Sequence, residues 1–261
     1  ADEPVYRLRV FYNATPVEVT GEHPFLALRD GQVQWITAAD LTAHDYLALP
    51  GIVKDEKAVP EYLSLRDYVT SSVHQDEDVL YTVRNFVGNN GANGSRESSR
   101  VRATIPVDGD FNRFLGYFMA EGGVLKVDKL YRAIYLTFHS DEKEYLNDVL
   151  TLGKDLFGVE GRLNTRQGQP GSWSRVYFHN PLLAEFFDRA FGGRSAKTKR
   201  LPVWFIHQDR YALSQFVCGL FRGDGCRFNQ PKARASGFGL VMANPELMRQ
   251  VYLILLDLGI L

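Results

Sequence analysis

The chain has 261 residues, 45% of them apolar and 23% charged, with a formal net charge of −1. That length holds one large domain or two ordinary ones, and that composition excludes an intrinsically disordered chain. No run approaches the about 18 continuous apolar residues of a membrane span, and no basic-then-apolar leader opens the chain, so no membrane partner is expected. Two cysteines, Cys218 and Cys226, are too few for a disulfide framework and wrongly spaced for a zinc ribbon, which makes a cytoplasmic, reducing setting the expectation.

The near-neutral total conceals an asymmetry. Residues 1–80 hold 6 Lys/Arg against 14 Asp/Glu, whereas residues 81–261 hold 24 against 17. Between 162 and 200 eight basic residues are opposed only by Glu185 and Asp188, a balance that favours a polyanionic partner.

In chain order, residues 4–50 read as short strands. Val5, Leu8, Val10, Val17, Val19, Leu26 and Leu28 fall in β-prone runs broken by Asn13, Pro16 and Gly31. Residues 51–80 are mixed, acidic and connective, so 1–80 is taken as one β-rich unit. The breaker-rich stretch 88–95, followed by a polar run to Arg102, predicts a linker or mobile loop over 81–109.

From 110 a repeated order begins. A helix over 111–120, opened by Asp110 as N-cap, precedes strands at 122–127 and 131–138. A helix follows over 141–157, with Tyr145, Val149, Leu152 and Leu156 at helical spacing. Strands at 159–166 and 173–178 and a helix over 181–190 complete the first copy, 110–209. The second copy, 210–261, starts with a helix over 211–222, strands near 226–229 and 236–242, and a helix over 245–258. It stops there, so a fragment of a longer protein is expected. The predicted fold class is α+β, a duplicated αββαββα unit whose second copy is truncated, preceded by an all-β region.

The strongest internal match pairs Gly116-Tyr117-Phe118-Met119-Ala120-Glu121-Gly122 with Gly219-Leu220-Phe221-Arg222-Gly223-Asp224-Gly225. Gly116 and Ala120, like Gly219 and Gly223, are four apart and share a helix face, so two backbones can approach closely there. Glu121 and Asp224 each follow the small pair by one place, and converge if the helices pack through these faces. Two converging carboxylates repel unless a cation lies between them, and Mg²⁺, or another hard divalent ion such as Mn²⁺, suits oxygen ligands and phosphodiester chemistry. Acids at helix C-termini also oppose the macrodipole, so their recurrence at matched positions points to function.

These two segments, with Phe114-Leu115 and Val217-Cys218 before them, resemble the paired signature motifs of the LAGLIDADG homing endonucleases. The resemblance covers 110–261. It implies that Glu121 and Asp224 bind the catalytic metals, with Glu121 departing from the usual Asp. Lys199-Arg200-Leu201-Pro202 resembles the family's segment that carries a lysine before an Ile/Leu-Pro pair, which makes Lys199 a catalytic candidate and Lys197 the fallback. The resemblance also implies saddle-shaped sheets laid along the major groove of double-stranded DNA with a long, pseudo-palindromic site. Arg162, Asn164 and Arg166 alternate along one strand, and Lys126, Arg132, Arg175, Arg227 and Lys232 lie on or beside others, so all eight are DNA-binding candidates.

Toward the N-terminus, Thr20-Gly21-Glu22-His23-Pro24, continued by Trp35-Ile36-Thr37-Ala38-Ala39-Asp40-Leu41, resembles the Hint domain that inteins use for protein splicing. The resemblance implies that His23 protonates a scissile amide nitrogen and that Thr20 orients that peptide. Ala1 is no nucleophile and Gly259-Ile260-Leu261 is no His-Asn terminus, so this stretch alone is not expected to splice. The reading is a metal-dependent, site-specific DNA endonuclease embedded in an intein, with host exteins as covalent partners. One alternative is a LAGLIDADG maturase or regulator that binds nucleic acid without cutting. Another is a splicing element whose nuclease has decayed into a stabilising insert.

Overall fold

The computed structural model describes residues 3–10, 16–48, 51–87, 93–166, 171–230 and 235–260. The N-terminal strands form small antiparallel sheets. β1 (Val5–Leu8) pairs with β2 (Val17–Thr20), and β3 (Pro24–Arg29) lies between β4 (Gln32–Thr37) and β5 (Tyr46–Leu47). Few of these residues are buried, Ala27, Ile36 and Ala38 being the apolar ones, whereas Val33, Trp35 and Tyr46 are exposed. The Arg29 guanidinium grips the Asp45 carboxylate through two bonds of 2.6 Å, which tie β3 to the turn before β5.

Residues 51–109 are more ordered than a connective reading allows. β6 (Tyr62–Ser64) pairs with β10 (Thr104–Pro106), and β7 (His74–Asp76), β8 (Val79–Val87) and β9 (Asn93–Arg102) form a three-stranded sheet. The linker expected over 81–109 is therefore corrected to a long hairpin, of which 88–92 lie outside the described residues. Polar side chains on an exposed hairpin look like loop composition; among its described residues Leu80 and Val101 are the buried apolar anchors, continued just beyond it by Ala103 and Ile105. Those four join the same core as the helices that follow.

The first copy begins with α1 (Gly109–Glu121). Its N-cap is Asp108, whose side chain accepts from the Phe111 N–H at 2.9 Å. Asp110, the expected cap, sits in the first turn and pairs with Arg113. β11 (Gly122–Val127) and β12 (Leu130–His139) lead into α2 (Lys143–Phe157), which ends at Gly158 in the left-handed region, φ +66°. β13 (Gly161–Arg166) and β14 (Trp173–Phe178) complete a four-stranded antiparallel sheet in the order β11-β12-β14-β13, and α3 (Pro181–Phe191) closes the unit. Strand alternation sends Ile134, Leu136, Phe138, Val176 and Phe178 to the helix side, where they meet Phe114, Phe118, Phe157, Phe186 and Phe187. An aromatic core of this kind buries a large apolar area per residue and makes closely packed ring pairs, Phe118 and Phe187 being 4.6 Å apart.

The second copy repeats the start of this order. α4 (Arg210–Asp224) is capped by Asp209, β15 (Gly225–Gln230) pairs with β16 (Ala235–Leu240), and α5 (Pro245–Leu258) follows. Asn244 caps α5 with one side-chain oxygen and donates its amide to the Lys199 carbonyl at 2.6 Å, joining the copies. A reciprocal amide pair, Asn112 with Gln208 at 2.8 and 3.1 Å, ties the N-terminal end of α1 to the segment that leads into α4. No helix among the described residues is long and apolar enough to cross a membrane.

Candidate active site and nucleic-acid interface

The two motif helices are pressed together at their small residues. A Cβ added to Gly116 would lie 2.2 Å from the Phe216 carbonyl oxygen, and one added to Gly219 would lie 2.2 Å from the Arg113 oxygen. At Gly223 it would meet the Ala120 Cβ at 2.4 Å and the Glu121 Cγ at 3.1 Å. Backbone thus touches backbone along the seam, which only residues without a side chain permit. The bulky neighbours point away, Phe114 and Phe118 into the first core and Phe216 toward Phe205.

Because each acid follows its small pair by one residue, close packing brings both to the same end. Glu121 and Asp224 are half-buried there. Burial, then the nearby Asp224 charge, pushes the Glu121 carboxyl up to about 7, and burial raises Asp224 as well. Lys199 completes the group. It is 3% exposed and donates to the Met119 and Ala120 carbonyls at 2.9 and 3.4 Å, at the negative end of the α1 dipole. Burial pulls its ammonium down to about 8, against the opposing pull of Asp224 and Glu121.

Lys199 is held by its neighbours. The Arg200 N–H donates to the Phe191 oxygen at 2.9 Å and the Thr198 hydroxyl to the Gly192 oxygen at 2.6 Å. Lys197 is exposed on the same loop, whereas Lys199 is buried against the last carbonyls of α1. Among the described residues no group of three or more His, Cys, Asp or Glu forms a metal cluster. Two half-buried, mutually repelling carboxylates nonetheless fit a hard divalent ion that takes its remaining oxygens from water and phosphate.

Among the described residues, no helix covers the other face of the four-stranded sheet. Register places Arg162 opposite Tyr177, Asn164 opposite Arg175, and Arg166 opposite Trp173, so all six share that face with Tyr135 and Thr137. Arg175 donates to the Thr137 hydroxyl at 2.8 Å and lies over the Tyr135 and Trp173 rings at 4.7 and 4.9 Å. Tyr135, Thr137, Trp173 and Tyr177 escape a reading that looks for charge alone; period-two alternation along β12 and β14 was the available signal.

The remaining candidates scatter. Lys126 is on the helix side, 3.8 Å from Asp188 and over the Tyr131 ring, because it shares strand parity with buried Val124. Its charge there offsets a buried acid, and it does not share the face that carries Arg162. Arg132 is exposed at the bulge in β12. Arg227 is exposed but lies on the face of β15–β16 that Leu240 turns toward the core. Lys232 lies outside the described residues.

Two further clusters are visible only in three dimensions. Asp148 of α2 accepts two bonds from Arg113 at 3.0 and 3.2 Å, one from the Tyr117 hydroxyl at 3.0 Å and one from Arg222 at 3.3 Å, joining α1, α2 and α4. Buried Glu185 accepts from the Thr70 backbone and hydroxyl and from Arg189, tying 70–71 to α3. In the N-terminal sheets, Thr20 and His23 flank a turn in which the His23 N–H donates to the Thr20 oxygen at 3.2 Å. Ala38 and Ala39 bond to His23 and Gly21, so the two motif pieces adjoin.

No family model matches the chain. It is similar to an uncharacterized protein of Methanocaldococcus jannaschii, 24% identical over 254 residues, 80% of this chain and 28% of that protein. It is also similar to an iron-sulfur cluster assembly SufBD family protein of Mycobacterium tuberculosis, 24% identical over 212 residues, 81% of this chain and 22% of that protein. The reverse gyrase of M. jannaschii is 22% identical over 284 residues, 95% of this chain and 17% of that protein. The chain thus spans less than a third of the length of each of these relatives. Among solved structures, it is similar to an I-DmoI variant in complex with its target DNA in the presence of manganese. The TM-score is 0.41 and the identity 17%, with 59% of this chain and 77% of that chain covered.

Proposed function

We propose that this chain is a LAGLIDADG-type, divalent-metal-dependent endonuclease that makes a site-specific double-strand cut in DNA, carried within an intein. The convergence of Glu121, Asp224 and Lys199 at the sealed end of the α1–α4 pair carries the reading. A pair of acids at adjacent helix C-termini is unfavourable twice over, by mutual repulsion and by the helix dipoles, and makes sense as a cation seat. Glu121 and Asp224 would hold Mg²⁺ or Mn²⁺, which when bound supplies Lewis-acid activation of the phosphodiester and of attacking water. Lys199, positioned by the α1 carbonyls, supplies a fixed positive charge beside the oxygens that become negative as the phosphodiester is cleaved. The aromatic and basic face of Arg162, Asn164, Arg166, Arg175 and Tyr177 suits the edges and backbone of a duplex.

The intein setting draws on a separate observation. Similar stretches make up about a fifth of proteins as unlike in name as a SufBD family protein and a reverse gyrase. Recurrence inside unrelated hosts is the mark of an inserted element. In that setting Thr20 and His23 belong to the splicing block, and the exteins are the flanking host sequence.

The test is cleavage of a plasmid bearing the uninterrupted host gene, with the full-length protein, with and without Mg²⁺. Glu121→Gln or Asp224→Asn should abolish cutting and spare most of the binding, which Lys and Arg contacts to phosphate supply. Binding with no cutting by the unaltered protein would favour a maturase or regulator instead.

A further inference from the structure

The β8–β9 hairpin carries a feature that its sheet does not need. Arg84 and Arg96 are direct cross-strand partners, so both side chains leave the same face. Both are exposed, and no ion pair among the described residues includes either. Like charges set opposite each other in an antiparallel pair are destabilising, and no acid among the described residues pairs with these. The two strands hold Arg84, Arg96, Arg100 and Arg102 against a single acid, Glu97, and that acid is already paired with Arg100. On the root side, their neighbours on the face are Thr82 and Ser98, whose hydroxyls bond at 2.9 Å.

The hairpin is also aimed. Its root is fixed: Leu80 and Val101 are buried in the main core, and the Asn180 amide donates to the Arg100 oxygen at 2.8 Å. Just beyond the root the register shifts between Leu80 and Thr82, opposite Ser99, which has φ +56°. A bulge at that point bends the strand pair and redirects its outer half. Asn180 follows β14, and Gly158, beside the Arg102 side chain, precedes β13. The arm therefore springs from the end of the four-stranded sheet where Arg162 lies. Six residues beyond the bulge, at about 3.3 Å each, reach roughly 20 Å, the length of about six base pairs of duplex.

We infer that the β8–β9 hairpin is a second, sequence-independent DNA contact. Arg84 and Arg96 straddle backbone phosphates on one flank of the segment that the four-stranded sheet covers. A phosphate between them turns a cross-strand repulsion into two charge-assisted hydrogen bonds. The inference rests on the DNA-binding reading above and adds to it an asymmetric extension of the footprint.

The experiment measures binding of mixed-sequence duplex DNA by the full chain over a salt series, using one duplex as short as the sheet alone covers and one about two helical turns longer. Arg84→Ala/Arg96→Ala should flatten the log–log salt slope on the long duplex by about 1.8, two phosphates at about 0.9 each, and leave the short duplex unchanged. Arg7→Ala/Arg9→Ala, on and beside β1, serves as the charge-matched control. Arg84→Glu should weaken long-duplex binding further while raising the melting temperature, because it replaces a repelling cross-strand pair with an attracting one; this shows that the loss is not misfolding. An unchanged slope on the long duplex, or an equal loss from the control pair, overturns the arm. Failure of the unaltered chain to bind either duplex at low salt overturns the DNA-binding reading itself.

Discussion

Gly116→Ala separates two effects of opposite sign. In a helix that packs against nothing at this position, alanine is favoured over glycine by about 1 kcal/mol, so propensity alone predicts stabilisation. In this structure the added Cβ would lie 2.2 Å from the Phe216 oxygen and 2.7 Å from the Leu220 nitrogen. Comfortable contact needs about 3.5 Å, so α1 and α4 must part by roughly 1 Å. The obstacle is backbone, which no rotamer change can relieve. Overpacking of this sort costs about 1–3 kcal/mol, and the upper end applies here because two helices must shift. Net of propensity, a loss of about 2 kcal/mol is expected, a fall in melting temperature of about 4–8 °C. Gly219→Ala, blocked by the Arg113 oxygen, should behave alike, and Gly51→Ala, with nothing within 4 Å, should leave the melting temperature within a degree. A displacement near 1 Å at the acids should also lower cleavage about 100-fold. Calorimetric unfolding and plasmid cleavage read both effects. A Gly116→Ala variant as stable as the parent, or more so, would refute the sealed helix pair.

The metal-free protein should lose stability as pH rises from about 4 to about 7. Glu121 holds its proton up to about 7 in the folded chain, and an unfolded glutamate releases it near 4.3. Between those values the unfolded state binds fewer protons, so the slope of stability against pH is negative; above 7 the penalty is complete. Glu121→Gln should flatten that window, and melting curves taken below pH 8, where Lys199 is protonated in both states, would show it; a slope unchanged by the substitution would place Glu121 in water. Asp148→Asn should cost about 1–2 kcal/mol in denaturant unfolding, because it removes the carboxylate that Arg113, Tyr117 and Arg222 share. Glu144→Gln, 3.6 Å from Arg222 and largely exposed, should change stability by less than about 0.5 kcal/mol. Equal effects from the two would mean that Asp148 is not the junction of the three helices.

Local rules carried much of this protein. The small-x-x-x-small spacing at Gly116/Ala120 and Gly219/Gly223 already implied which helix faces meet, since a period of 3.6 leaves no other face able to bring backbones together. Alternation placed Arg162, Asn164 and Arg166 on one side of β13 for the same reason. Where local rules conflicted with distant partners, they misled. Lys126 looks like a strand arginine or lysine facing a ligand until Asp188, from a helix more than 60 residues on, claims the side it shares with Val124. The arm at β8–β9 looks like a loop because its polar residues pair with each other across the strands rather than with a core.

From residue 110 on, the amino-acid order therefore determined the elements, their repeated succession and the two acids that end the paired helices, because each of these depends on neighbours within about one helical turn or one strand. Tertiary structure alone decided that the Lys199 ammonium settles on the last carbonyls of α1, that Asp148 gathers Arg113, Tyr117 and Arg222, and which cations face open surface. Those outcomes turn on which buried charge finds a partner from another element, and that is settled only when the chain closes on itself.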